Sequence, residues 1–394
     1  MTEEQLTAIA KEYATPAYVF DIAALEEKIR QIRAYLPKKT GLCFAVKANP
    51  FLIPVAWKLV DRLEVCSPGE YEICIREHVP PENIIVSGVN KSYDTMKRIF
   101  SYSKGAGIYT MESELHYEIL SRCAKEEKKA IRVLLRLSSG NQFGMDEQTL
   151  LRVAKRVMSD DNMTLAGVHY YAGTQKKQSK MEKELDMLSA FAEHFRQETG
   201  AVLPELEYGA GLAVSYFEND SEKEREQSDS KKQLSALAGK LDTMQTYEQI
   251  TIELGRFLAS ECGYFLTTVV DKKNNAGTGY LIVDGGIHQL NFYGWMMGMK
   301  RPFIRQIGKD DTGEPETWNI CGSLCTVNDV LAREAVLKAP DIGDVLVFER
   351  CGAYSSTEGM AMFLCRELPQ ILIYNSDGSV RKLRERIETN EIQL

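Results

Sequence analysis

The chain has 394 residues, with 48 Lys+Arg against 56 Asp+Glu and a formal net charge of −8. Apolar residues make up 44% and charged residues 26%, an ordinary globular composition, and a length near 400 at about 150 residues per domain predicts two domains. The acidic balance without a basic cluster excludes a nucleic-acid surface, and no apolar run approaches the ~20 residues that span a bilayer.

The opening residues, Met1-Thr2-Glu3-Glu4-Gln5, lack the basic start and apolar core of a signal peptide, which predicts a cytoplasmic protein. Ala17–Phe20 reads as a short strand able to join a later sheet at its edge. From residue 41, short apolar runs alternate with polar turns and helical patterns. The predicted strands are Gly41–Val46, Arg62–Cys66, Asn83–Ser87, Gly107–Met111, Ile131–Leu137, Leu165–Tyr171, Pro204–Tyr208 and Ile250–Leu254. Pro68–His78, Glu147–Met158 and Lys180–Arg196 carry apolar residues at helical spacing. The charged stretch Glu218–Lys232 lacks such a pattern and is predicted to be a solvated loop.

Eight strands alternating with helices predict an α/β fold, a (β/α)8 TIM barrel, in preference to an open doubly wound sheet. After Tyr264 the pattern changes to strands without helices: Phe265–Asp271, Tyr280–Val283, Val345–Glu349, Ile371–Tyr374 and Val380–Leu383. The expected domains are an N-terminal segment 1–30, a barrel 31–264 and a C-terminal all-β domain 265–394.

Nine cysteines are scattered without a Cys-x-x-Cys pair, and the five histidines never fall at metal-ligand spacing. Reduced thiols and no metal are expected.

Active sites of such barrels lie at the C-terminal strand ends. Strand one runs into Lys47, strand six carries His169, and strand seven runs into Gly209-Ala210-Gly211. Strand eight carries Glu253, followed by Gly255-Arg256. Singly, each has an ordinary explanation: a surface lysine, a core histidine, a tight turn, an ion pair. In barrel order they match pyridoxal-phosphate chemistry. A lysine amine forms a Schiff base with an aldehyde, and small residues let backbone N–H groups approach a phosphate. A carboxylate keeps the pyridine nitrogen protonated, and an aromatic residue stacks on the ring.

The motifs resemble the fold-type III pyridoxal-phosphate decarboxylases, diaminopimelate decarboxylase and its relatives. Phe44-Ala45-Val46-Lys47-Ala48-Asn49 is similar to the cofactor-lysine segment, and Gly167–Gln175 to the ring-stacking histidine segment. Gly209-Ala210-Gly211-Leu212 resembles the phosphate loop, with Ala210 where the family usually has glycine. Glu253-Leu254-Gly255-Arg256 resembles its Glu-Pro-Gly-Arg motif, with Leu254 replacing proline. Cys325-Thr326-Val327-Asn328-Asp329 and Gly352-Ala353-Tyr354 match segments that complete the site. The resemblance spans about residues 15–375.

It implies a homodimer with shared active sites, the C-terminal segments coming from the neighbouring subunit. It also implies pyridoxal 5'-phosphate bound to Lys47, with Glu253 on the pyridine nitrogen and His169 on the ring face. Gly209, Gly211, Gly255, Arg256 and Tyr354 would surround the phosphate. Cys325 would be the acid that reprotonates the carbanion after carbon dioxide leaves. An ordinary thiol, with a pKa near about 8.5, is mostly protonated at neutral pH and can donate.

Two departures bear on the substrate. Thr326 stands where diaminopimelate decarboxylases usually carry a glutamate that reads the distal amino group. Val283-Asp284-Gly285-Gly286 is followed by Ile287-His288-Gln289 with no arginine until Arg301, whereas the family places a carboxylate-binding arginine soon after. Asp329 is retained and could read an amino group, so Thr326, Asp329 and His288 are the expected substrate contacts. Tyr293–Met299 could line an apolar pocket or an interface. The Cys-Thr pair and Gln142–Asp146 resemble decarboxylases of glutamyl groups on a carrier protein. Diaminopimelate is the default substrate, with a carrier-bound aminoacyl group or another specialised precursor as the alternative. A racemase is the next rival; alanine racemase places an arginine near the pyridine nitrogen, so Glu253 favours decarboxylation. A single-barrel cofactor carrier is a third, and it would need no β domain.

Overall fold

A computed structural model describes residues 1–102, 105–292, 299–309 and 313–393. The chain divides into two compact units. One is built from 29–214 and 227–257, the other from 1–28, 215–226 and 258–394.

Strand β1 (Ala17–Asp21) belongs to the second unit. The next eight strands form the first: β2 (Gly41–Ala45), β3 (Arg62–Val65), β4 (Ile84–Val86), β5 (Ile108–Met111), β6 (Ile131–Arg136), β7 (Met163–Tyr171), β8 (Glu205–Gly209) and β9 (Gln249–Leu254). They pair in parallel, each with its sequence neighbour, and β2 closes on β9. This is the (β/α)8 barrel expected. β2 and β8 are buried at every position, as strands covered on both faces must be. The helices follow from patterning and caps. Over Glu147–Met158, Leu150, Val153, Ala154 and Val157 are buried at 3- and 4-residue spacing, and Asp146 caps the start by accepting from the Thr149 N–H.

Residues 218–232 are not the loop predicted. A short helix, Glu222–Gln227, lies within them, and another begins at Ser230. Neither start needs an apolar face: Ser221 and Glu224 exchange hydrogen bonds, and Asp229 accepts from the Lys232 N–H.

The second unit is built on a nine-stranded sheet. Its remaining strands are β10 (Gly263–Asn275), β11 (Thr278–Val283), β12 (Ile304–Ile307), β13 (Pro315–Cys321), β14 (Val330–Lys338), β15 (Val345–Glu349), β16 (Gln370–Tyr374) and β17 (Val380–Arg384). The main order is β14-β13-β11-β10-β1-β16-β17, with β15 pairing β10 and β12. β1 is therefore an inner strand and not the edge strand expected: it pairs antiparallel with β10 and parallel with β16. All five of its residues are buried. The unit also takes in a helix from the N-terminal segment. The helix Glu3–Glu12, closed by a capping box between Thr2 and Gln5, buries Leu6 and Ile9 against Val19, Leu266, Val347 and Leu372.

Candidate active site

Strand alternation decides which side chains enter the barrel. Arg62 and Glu64 on β3, Glu205 and Glu207 on β8, and Thr251 and Glu253 on β9 are each two residues apart, and each pair faces inward. Arg62 accordingly bonds Glu205, and it reaches Glu207 and Thr251 at 3.4 Å each. Around β2 and β4–β6 the interior is apolar instead, with Cys43, Ile85, Ile108 and Leu134 in one cluster.

Above this floor sits Lys47. β2 ends at Ala45, a single tight turn covers Val46–Ala48, and Asn49 accepts from the Phe51 N–H just before Pro50. The turn projects Lys47 over the strand ends. Its Nζ donates to Glu64 Oε2 at 2.6 Å and lies 3.6 Å from Glu253 Oε1 and 3.7 Å from Cys66 Sγ. Burial alone would raise the Glu253 carboxyl. The Lys47 ammonium and the hydrogen bond from His169 outweigh it and hold the group low, at about 2, so Glu253 is ionised at any working pH. His169 Nε2 lies 3.1 Å from Glu253 Oε2, which makes Nε2 the protonated ring nitrogen, while the buried Nδ1 has no partner among the described residues.

Glu207 lies fully buried nearby. Burial, then the Glu253 charge, push its carboxyl well above the usual carboxylate range, with the Arg62 guanidinium opposing the shift. Oxygens of Glu207 and Glu253 and a nitrogen of His169 lie within 4.8 Å of one another, close enough to hold a metal ion. The cation that Glu253 meets here is the Lys47 ammonium.

The glycine turn follows β8. Gly211 has φ +60°, and a Cβ there would lie 2.2 Å from the Gly173 carbonyl oxygen. A Cβ on Gly209 would meet the Tyr171 ring at 2.4 Å. The turn is thus a cradle that side chains would fill. Gly255 and Arg256, half-buried, follow Glu253 at the end of β9. An amine between two carboxylates, an oriented imidazole and a side-chain-free turn on one rim fit a pyridoxal phosphate: aldehyde, pyridine nitrogen and phosphate each find a complementary group.

Several members of this rim escaped the sequence reading. Glu64, Cys66 and Glu207 lay inside predicted strands, where a charged residue in a buried run is itself a signal. Arg136 donates to Glu112 at 3.2 Å, and Glu112 also accepts from the Gly144 N–H, tying down the 142–146 segment. Lys176, which carried no motif in the sequence, is buried.

The remaining expected residues lie in the second unit. Asp329 is buried, and its two oxygens accept from the Ile287 N–H at 2.8 Å and the Leu324 N–H at 2.7 Å. It pins two loops. Burial pushes its carboxyl up. His288 is buried and held neutral by that burial, down to about 4. Cys325 is exposed, on the loop that Asp329 pins. Thr326 is half-buried and accepts from the Asn328 N–H. Tyr354 takes a left-handed φ of +66°, and its carbonyl accepts from the Thr357 and Glu358 N–H groups. Of Tyr293–Met299, only Met299 is among the described residues, and it is exposed.

Comparison with known proteins decides the family. Residues 22–260 match the family described as pyridoxal-dependent decarboxylase, pyridoxal binding domain. The chain belongs to the pyridoxal-dependent decarboxylase family. As a member it is a carboxy-lyase that uses pyridoxal 5'-phosphate.

Among this family's characterised members, the chain is 27% identical to the L-glutamyl-[BtrI acyl-carrier protein] decarboxylase of Niallia circulans, over 100% of this chain and 96% of that protein. It is 26% identical to the 2-[(L-alanin-3-ylcarbamoyl)methyl]-2-hydroxybutanedioate decarboxylase of Staphylococcus aureus, over 94% and 96%. In fold it is similar to the Helicobacter pylori diaminopimelate decarboxylase complexed with L-lysine, with a TM-score of 0.82 and 20% identity over 99% of this chain and 100% of that one. Among the described residues no helix is long and apolar enough to cross a membrane.

Proposed function

We propose that this pyridoxal-dependent decarboxylase, diaminopimelate decarboxylase-like in type, removes the α-carboxylate of an amino acid at the rim carrying Lys47, His169 and Glu253. The observation that carries the reading is the Lys47 amine set between Glu64 and the ionised Glu253. Lys47 holds the cofactor aldehyde, Glu253 the pyridine nitrogen, and Gly209, Gly211, Gly255, Arg256 and Tyr354 the phosphate. When bound, the cofactor supplies a sink for the electron pair left at Cα as carbon dioxide departs.

The chain's own groups do the rest. Glu64, 2.6 Å from Nζ, accepts the proton that Lys47 must lose to become a nucleophile. Glu253 stays negative and would hold a proton on the pyridine nitrogen, and His169 fixes the orientation of that carboxylate. The Cys325 thiol donates the proton that replaces carbon dioxide at Cα. Its exposure supports a homodimer in which its loop serves the partner's rim. Nine free thiols support a cytosolic enzyme.

Diaminopimelate is the reference substrate, since several characterised relatives carry that name. One observation favours a second reading, a carrier-bound aminoacyl group or other specialised substrate. Arg301, the first arginine after Gly286, is committed to Glu218 at 2.8 Å, and Thr326 offers no carboxylate for a distal amine. A carbon-dioxide release assay over diaminopimelate, lysine, ornithine, arginine, glutamate and carrier-bound aminoacyl groups tests both. Release from one of them is expected. Inversion at Cα without release would make the enzyme a racemase and sink the proposal.

A further inference from the structure

The Gly209–Gly211 turn is held from one side by a single buried residue that the reaction does not use. Lys176 is 5% exposed. Its Nζ donates to the Gly209 carbonyl at 2.9 Å, and its backbone N–H donates to the Gly211 carbonyl at 2.9 Å. The lysine is held in turn by Glu184, whose Oε2 accepts from Nζ at 2.7 Å and from the Tyr208 hydroxyl at 2.7 Å. Contact is steric as well as polar: a Cβ on Gly211 would lie 2.8 Å from Lys176 Cε. Both side chains of the ion pair are almost wholly buried, at 2% and 7% exposure.

A buried ion pair is a poor source of stability, because desolvation offsets most of the attraction. What this pair does supply is direction. Both carbonyl oxygens at the ends of the turn are turned toward Lys176, each accepting one of its N–H groups. A free carbonyl oxygen there would repel a phosphate.

We propose that Lys176, braced by Glu184 and Tyr208, is a positioning residue that shapes the Gly209–Gly211 turn to receive the cofactor phosphate. This rests on the reading of that turn as the phosphate seat. The ion pair is neutral overall, so the effect works through the turn's shape and must be specific to a ligand carrying the phosphate.

The test titrates the cofactor-free protein with pyridoxal 5'-phosphate and, separately, with pyridoxal, which lacks the phosphate, following visible absorbance. In the natural protein the phosphate ester should bind far more tightly; equal binding would refute the phosphate seat itself. With that ratio in hand, Lys176→Met should weaken the phosphate ester by about 10- to 100-fold and pyridoxal by less than about twofold, the loss expected when one charge-assisted hydrogen bond to the turn is removed and its backbone partner is kept. Glu184→Gln, which keeps an acceptor for both partners, should recover most of the ratio. An unchanged ratio in Lys176→Met, or equal weakening of both ligands, would overturn the role of Lys176 while leaving the phosphate seat standing. Should Lys176→Met fail to fold, Tyr208→Phe removes only a hydroxyl. It should lower the ratio about threefold, and no change in it would count equally against the proposal.

Discussion

Three buried carboxylates of the barrel, Glu64, Glu253 and Glu184, meet side-chain cations, whereas the buried Asp329 of the second unit meets backbone amides. Glu64 faces Lys47, Glu253 faces Lys47 and His169, and Glu184 faces Lys176. Asp329 instead accepts from the N–H groups of Ile287 and Leu324. The consequences differ in sign: neighbours hold Glu253 low, and burial pushes Asp329 up. A carboxylate neutralised by a mobile lysine can exchange that partner for an incoming group. One bonded to two main-chain amides is fixed, and its work is to hold loops. Chemistry is expected from the first kind and architecture from the second.

Lys47→Ala gives the harshest test of that division. It removes the rim amine that sits between two carboxylates, and turnover should fall by roughly 10³-fold or more, as for loss of a covalent nucleophile. The visible absorbance of the bound cofactor should vanish with it. Persistence of that band would refute the lysine assignment. Glu253→Gln comes next. The amide keeps the shape and a bond to His169 but not the charge, so kcat should drop about 10²- to 10³-fold, the range for loss of one preorganised electrostatic contact. A variant with full activity would show that the ionised state of Glu253 is idle. Cys325→Ala should slow turnover by about 10²-fold, the lower range for general acid catalysis, while cofactor affinity stays within about twofold. Loss of cofactor in place of rate would make the thiol structural.

How much of this was legible in the sequence follows the same division. The barrel strands were, because short runs rich in apolar residues, bounded by polar turns and helical patterns, announce them, and Lys47, His169 and Glu253 each stand at or near the end of one. β13 and β14 were not. Their ladder shifts register between Trp318 and Ile320 and again at Cys321, and Glu334 takes a left-handed φ of +52°, so the period-2 pattern that would announce them is broken. Glu64 and Glu207 went unread because their partners, Lys47 and Arg62, are distant in sequence or on another strand. Asp329 was legible as a family position. That its two oxygens are already used by main-chain amides is a property of the folded loops alone.

Asp329→Ala should act on the fold and not on the chemistry. It leaves two N–H groups without their acceptor, at about 1–3 kcal/mol each, so unfolding free energy should drop by about 2–6 kcal/mol. Thermal unfolding measures this, and the absorbance of the bound cofactor should be unchanged in the folded protein. A large loss of cofactor at unchanged stability would move Asp329 into the first class.

Lys91 tests the division at its weakest point, because it is a barrel cation held as Asp329 is, by neutral dipoles. It is buried, and its Nζ donates to the Gly88 carbonyl at 2.5 Å and to Thr110 Oγ1 at 3.5 Å. Burial lowers its pKa to about 8, with the charge of Glu112 opposing the shift only in part. An unfolded lysine titrates near about 10.4, so between about pH 8 and 10.4 the unfolded chain binds more protons than the folded one. Stability from this group must therefore rise with pH across that window, since the folded state sheds the penalty of a buried charge as the amine becomes neutral. From pH 7.5 to 9.5 the gain should be of order 2 kcal/mol, read as a rising midpoint in urea unfolding, and Lys91→Met should flatten it. The same slope in both proteins would mean that Lys91 keeps its proton and is compensated as Lys47 is, by carboxylates.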